Sequence, residues 1–106
     1  MPIAAIFDCE GARLSSDERA FFRDADPWGF ILFARHCESA EAVRAHCAEL
    51  RECVGRNAPI FIDQKGGRVA RMKPPAFRAH PPMGVFGALW KENPQIANEA
   101  ARLNAF

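Results

Sequence analysis

The residue types able to do chemistry crowd into one short stretch, Asp63-Gln64-Lys65-Gly66-Gly67-Arg68-Val69-Ala70-Arg71. A carboxylate is followed by three cations and a Gly-Gly pair. The run Pro59-Ile60-Phe61-Ile62 before it reads as a strand buried on both faces, as in parallel sheets. Asp63 then stands at the strand's carboxyl end, where α/β folds put their ligands. Gly66 and Gly67 let the backbone turn tightly and come close to a bound molecule, and Arg68 and Arg71 place donors near the acceptor Asp63. The plainer reading is a glycine turn with a solvated salt bridge. A third is an anion site, for instance for phosphate. There the Gly66-Gly67 N–H groups would be backed by Lys65, Arg68 and Arg71, although no helix start or Walker-type spacing follows directly.

The second chemically able set is four cysteines, Cys9, Cys37, Cys47 and Cys53, with three histidines, His36, His46 and His80. No C-x-x-C pair or zinc-type ligand spacing occurs among them. They read as reduced, partly buried thiols, with no metal and no cofactor.

The elements that must position Asp63 follow from pattern. Residues 3–7 form an apolar run with the polar exit Asp8-Cys9-Glu10-Gly11, read as a first buried strand. Ser15-Ser16-Asp17-Glu18 matches a capping box and opens a helix carrying Phe21, Phe22 and Ala25, which Asp26-Pro27 stops. Residues 28–33 are a second strand, with Arg35-His36 as its exit. Ser39 caps a second helix with Glu41 in its first turn. Val43, Cys47, Leu50 and Val54 form its apolar face, and Gly55 closes it. The third strand follows. Pro74, Pro75, Pro81 and Pro82 make residues 72–84 an extended loop; residues 83–90 read as a short helical turn. Asn93-Pro94 starts a last helix with Ile96, Ala100 and Leu103 on one face, running to Phe106.

This order of strands and helices makes a parallel α/β sheet, either open and doubly wound or part of a (β/α)₈ barrel. A barrel takes ~250 residues, so the 106 residues here would supply its first three βα units. The last helix carries no stop signal, which favours truncation. A formal charge of +1 argues against nucleic acid or an acidic membrane as the main partner. No apolar segment approaches the ~20 residues of a membrane span. The start, Met1-Pro2-Ile3-Ala4-Ala5-Ile6-Phe7-Asp8, is unlike a signal peptide. A cytoplasmic location is expected.

Ile62-Asp63-Gln64-Lys65-Gly66-Gly67-Arg68-Val69 resembles the Asp-Gln-Glu-Gly-Gly-Arg-Val pattern of glycoside hydrolase family 3. Gly11 with Leu14, Gly29-Phe30-Ile31-Leu32-Phe33 followed by Arg35, and Pro81 also fall where that family has them. The resemblance covers essentially the whole chain. Within the family it is nearest to the N-terminal part of the bacterial cytoplasmic β-N-acetylhexosaminidases that trim N-acetylglucosamine from peptidoglycan fragments. It implies that residues 1–106 are the incomplete N-terminal portion of a TIM barrel, truncated after three units. It also implies that Asp63 binds hydroxyls of the non-reducing sugar and that Arg71 contributes to the same pocket. A carboxylate accepts two hydroxyl hydrogen bonds, strengthened by its charge. A sugar lacking those hydroxyls is rejected because the polar groups stay unpaired.

Two positions depart from the family pattern, Lys65 where it has glutamate and His36 where it has asparagine. Lys65 reverses a charge two residues from Asp63, and His36 is expected at the rim of the site. The family's aspartate nucleophile and histidine acid/base come from later strands, so no catalytic residue is expected here, and His80 is given a loop role. Asp8 and Asp63 end the first and third strands, with backbones roughly 10 Å apart. That is too far for the ~5–5.5 Å of a retaining carboxyl pair and marginal for the ~6.5–9.5 Å of an inverting one. The chain alone is expected to be inactive as a retaining hydrolase. The rival reading is a non-catalytic fragment that binds a sugar or a partner chain, or has no function alone. Open barrel edges would favour self-association.

Overall fold

The structure, a computed structural model, describes residues 1–105. Three parallel strands, β1 (Ile3–Phe7), β2 (Pro27–Leu32) and β3 (Ile60–Ile62), lie in the order β1-β2-β3. Helix α1 (Ser16–Ala25) links the first two, and a 3₁₀ turn (Ala34–His36) with α2 (Ala40–Val54) links the last two. No helix or strand forms between β3 and α3 (Gly84–Glu92), and α4 (Pro94–Asn104) follows.

Local chemistry sets the helix ends. The Ser15 hydroxyl accepts the Glu18 N–H at 3.1 Å while the Glu18 carboxylate accepts the Ser15 N–H at 3.2 Å, the reciprocal box read from the sequence. Asp26 leaves α1 in a left-handed conformation, φ 47°, and Pro27 begins β2. Ser39 caps α2 through the Ala42 N–H, Gly55 closes it at φ 69°, and Asn93 caps α4 with Pro94 in its first turn.

Register pairs Phe30 with Phe7 on one side and Ile60 on the other, so all three share the face toward α1 and α2. There Phe22 of α1 meets Phe30 edge-on at 5.2 Å, and Leu32, Leu50 and Cys53 complete a buried core. Burying each such phenylalanine or leucine contributes roughly 1.5–3 kcal/mol. The core is what fixes the strand ends.

The expectation that β1 and β3 are buried on both faces fails. Ile3, Ile6, Trp28 and Phe61 stay 42–47% exposed, because α1 and α2 cover only one face of the sheet. On the open face the Trp28 and Phe61 rings meet at 5.8 Å across Gly29, where a Cβ would lie 2.9 Å from the Pro59 carbonyl oxygen.

The last helices differ as well. Of residues 83–90, expected as a helical turn, 84–90 lie in the full helix α3 and Met83 is its N-cap. In α4 Ile96 and Leu103 are exposed and Ala97 is the buried residue, since α4 packs on α3 and a small side chain suits that contact. The helix expected to run to Phe106 ends at Asn104, with Ala105 as its C-cap, and Phe106 itself lies outside the described residues. With this hairpin standing off the sheet the radius of gyration is 16.9 Å, above the ~13 Å of a compact chain of 100 residues.

Candidate functional site

Asp63 follows β3 directly, as the sequence pattern required, and is half-buried. Its two oxygens face two cations. Oδ2 accepts from Arg71 Nη2 at 3.3 Å, and Oδ1 lies 3.6 Å from Lys65 Nζ. Arg71 is also half-buried, its Nε has no hydrogen-bond partner, and its guanidinium carbon sits 5.8 Å from the Phe33 ring centroid. Lys65 is 67% exposed and free to swing.

Arg71 reaches Asp63 because Gln64 holds its backbone. Gln64 Oε1 accepts the N–H groups of Arg71 and Met72 at 2.8 and 3.1 Å, and its Nε2 donates to the Met72 carbonyl at 3.0 Å. Sequence reasoning passed over this residue. The available signal was a long amide placed between the strand end and the Gly-Gly turn.

The turn itself is a tight hairpin. Lys65 N–H donates to the Val69 carbonyl at 2.8 Å, with Gly66 at φ 81° and Gly67 at φ 56°. The close approach expected of the glycines is made by the chain's own proline segment. A Cβ on Gly66 would lie 2.1 Å from the Pro81 carbonyl oxygen, and Gly67 N–H donates to the His80 carbonyl at 2.9 Å. With the Gly67 N–H already used, the phosphate reading loses one of its two backbone donors. Arg68 is exposed and makes no hydrogen bond or ion pair among the described residues, so it does not join Arg71 at Asp63.

The ends of β1 and β2 add a second pair. Asp8 and Arg35 form an ion pair, and Arg35 also donates to the Cys9 carbonyl from Nε at 3.1 Å and Nη2 at 2.9 Å. Phe33 carries both arginines, with the Arg35 carbon at 5.2 Å from its ring centroid. Asp8 and Asp63 thus stand two strands apart, each neutralised by its own arginine.

His36 is not at the rim. The 3₁₀ turn folds it wholly inside, where Nδ1 accepts the Phe33 N–H at 2.9 Å and Nε2 donates to the Cys9 carbonyl at 2.8 Å. His80, in the loop, is hydrogen-bonded through Nδ1 to Asn104 of α4 at 2.8 Å. It borders a cleft of about 240 Å³ with Gln64, Lys65, Gly66 and Met83. A larger apolar concavity of about 570 Å³ runs along residues 2–6 and Trp28, sharing no residue with the Asp63 site.

The cysteines are free thiols, and burial pushes Cys9 up to about 12, with Glu18 and Asp8 adding to it. Burial likewise raises Cys37 and Cys47. None of these three is a ready nucleophile. Among the described residues no helix is long and apolar enough to cross a membrane.

No protein-family model matches the chain. It is 36% identical over 97 residues to a beta-hexosaminidase of Thiobacillus denitrificans, covering 92% of this chain and 27% of that protein. Against a beta-hexosaminidase of Xanthomonas axonopodis pv. citri it is 36% identical over 95 residues, covering 90% and 28%. Among solved structures it resembles NagZ of Neisseria gonorrhoeae in complex with N-trifluoroacetyl-D-glucosamine. That match has a TM-score of 0.81 and 29% identity, covering 95% of this chain and 31% of that one. The native NagZ structure matches with a TM-score of 0.80 and the same 29% identity, covering 95% and 30%. The chain therefore spans under a third of the length of the relatives it matches. In sequence and in fold it corresponds to the N-terminal part of the NagZ-type beta-hexosaminidases.

Proposed function

We propose that this chain forms part of the sugar-binding face of a glycoside hydrolase family 3 β-N-acetylhexosaminidase. The three βα units are the start of a (β/α)₈ barrel, and residues 1–106 are its incomplete N-terminal portion. The enzyme would release terminal β-linked N-acetylglucosamine from peptidoglycan fragments in the cytoplasm. It would act with retention, through a glycosyl-enzyme intermediate. Asp63 accepts hydroxyl hydrogen bonds from the sugar and Arg71 orients it. The nucleophile and the acid/base belong to other parts of such an enzyme, and no residue of this chain is assigned either role.

The observation that carries this reading is the half-buried Asp63–Arg71 pair directly after β3, with Gln64 fixing the arginine's backbone. The NagZ relative that binds an N-acetylglucosamine analogue supports a saccharide ligand. Saturation-transfer NMR with N-acetylglucosamine tests it. Transfer to the sugar is expected with the parent chain and is expected to vanish in Asp63→Ala. Equal transfer in both, or none in either, overturns the assignment. The purified chain should not hydrolyse a chromogenic N-acetylglucosaminide. Turnover lost on Asp63→Ala would show that catalysis resides here after all.

A second reading, a non-catalytic module that associates with itself or with a partner chain, is favoured by the exposed Ile3, Ile6, Trp28 and Phe61 on the sheet. Sedimentation distinguishes it. A monomer at high concentration with a cooperative melt excludes self-association and points to an independent small domain.

A further inference from the structure

Three buried groups have no part in the Asp63 site. Cys9 follows β1, His36 ends the 3₁₀ turn after β2, and His46 lies midway along α2, each 3% exposed or less. One ligand atom from each lies within 4.8 Å of the other two. Cys9 Sγ and His46 Nε2 are 3.0 Å apart, and the two imidazoles stack with centroids at 5.1 Å and 12° between planes. His46 Nδ1 is buried and lacks a well-formed hydrogen bond, although the Ala12 backbone acts on the ring. A core that gathers a thiol and two imidazoles and leaves one nitrogen poorly satisfied is costly if its only task is packing.

We propose that Cys9, His36 and His46 form a buried site for one thiophilic transition-metal ion of the Zn²⁺ class, bound through Cys9 Sγ, His46 Nε2 and His36 Nε2. A thiolate with two imidazoles is a ligand set such ions take readily. Zinc–sulfur and zinc–nitrogen bonds of ~2.3 and ~2.0 Å at a tetrahedral angle put sulfur and nitrogen ~3.5 Å apart. The metal-free contact therefore has to open by about half an ångström.

Protons balance as follows. Cys9 gives up its thiol proton to solvent. His46 binds through the Nε2 lone pair and keeps its proton on Nδ1, on the side of the Ala12 backbone. His36 moves its proton from Nε2 to Nδ1 and gives up its bonds with the Cys9 carbonyl and the Phe33 N–H. The Cys9 carbonyl keeps both Arg35 donors. One proton is released per ion. Three protein ligands leave the fourth tetrahedral position to a water molecule, and the ion ties the ends of β1 and β2 to α2. The inference does not depend on the sugar reading.

The test uses the full chain, stripped of metal, with Co²⁺ as the optical probe and Zn²⁺ as its competitor. One equivalent of Co²⁺ should give a thiolate-to-cobalt charge-transfer band that Zn²⁺ bleaches. Cys9→Ser and His46→Leu should each weaken binding at least 100-fold and His36→Asn at least 10-fold, while Cys53→Ala should leave it unchanged. Should a variant fail to fold, X-ray absorption of the zinc-loaded parent chain decides, one sulfur, two imidazole nitrogens and one solvent oxygen being the expected shell. The proposal is overturned by the lack of a 1:1 complex at micromolar ion, by binding insensitive to Cys9→Ser, or by a shell without sulfur.

Discussion

Gln64 holds the main chain at Arg71, its Oε1 2.8 Å from the Arg71 nitrogen. It is the side chain next to Asp63 in sequence, and it brings back the arginine that Asp63 binds. Three hydrogen bonds join Gln64 to residues 71 and 72. At a net ~1 kcal/mol each, Gln64→Ala should lose roughly 1–3 kcal/mol in denaturant melts. It should also weaken N-acetylglucosamine binding as much as Arg71→Ala does, although Gln64 itself lies behind the pair. Unchanged binding in Gln64→Ala would mean that Arg71 is held by other contacts.

Two glycines with left-handed φ separate conformational cost from steric cost. Gly55 closes α2 at φ 69° with nothing within 4 Å of an added Cβ, so Gly55→Ala should lose only the ~1–2 kcal/mol of a left-handed alanine. Gly66 has a similar φ of 81°, but its Cβ would collide with backbone at Pro81. Gly66→Ala should therefore be the more damaging by at least about 1 kcal/mol, and it should reduce sugar binding while Gly55→Ala does not. Paired urea melts measure the difference.

What was legible in the sequence was chiefly local. The capping box at Ser15 and Glu18, the caps at Ser39 and Asn93 and the stops at Pro27 and Gly55 involve neighbours a few residues apart, and each forms as read. Which face an element buries depends on distant partners, and there the reading failed for Ile96 and Leu103, and for the open sides of β1 and β3. The position of Asp63 came through because a strand end is a local feature. Gln64 did not, since its partners lie 7 and 8 residues ahead across a turn. The Cys9–His46 contact spans 37 residues and follows no ligand spacing. His36, read as a rim residue, is drawn inward by the carbonyl of Cys9 at a neighbouring strand end, which it shares with Arg35.

His46 gives the chain an acid-sensitive core. Burial and the adjacent His36 push its pKa below the ordinary histidine value, against the pull of Glu49, Glu18 and the Ala12 backbone. Cys9 is the other group against it. The folded pKa is depressed, so the unfolded chain binds the proton more readily. The resulting stability is present above ~6.5 and is lost as pH falls from there through the folded value. Glu18 adds to this at lower pH. Burial raises its pKa, but hydrogen bonds from the backbone of Glu10 and Ser15 and from the Ser15 hydroxyl outweigh that and lower it. In metal-free buffer, thermal midpoints should fall between pH 7 and 5, and His46→Leu should flatten that window. A parent chain equally stable at both values would contradict the argument.

Asp63 lies between two cations, and they are not equivalent. Arg71 is half-buried and backed by Phe33 and Gln64, so its charge-assisted bond to Oδ2 persists when a ligand arrives. Lys65 is mostly exposed at 3.6 Å from Oδ1, a solvent-screened pair worth ~0–1 kcal/mol. On the proposed sugar-binding reading, a hydroxyl at Oδ1 would have only to displace Lys65, whereas losing Arg71 would leave the carboxylate and its ligand unoriented. Lys65→Gln should therefore tighten N-acetylglucosamine binding about 2–5-fold, within what removing so weak a competitor allows. Arg71→Ala should weaken it by at least 10-fold, in keeping with the ~1.5–3 kcal/mol of a hydrogen bond to a charged group. Raising salt from 50 to 500 mM screens the exposed pair and should mimic part of the Lys65→Gln gain. The salt effect should be absent in Lys65→Gln. Titrations of the three proteins at both salt concentrations measure this, and a Lys65→Gln chain that binds worse than its parent would make the lysine a ligand contact in its own right.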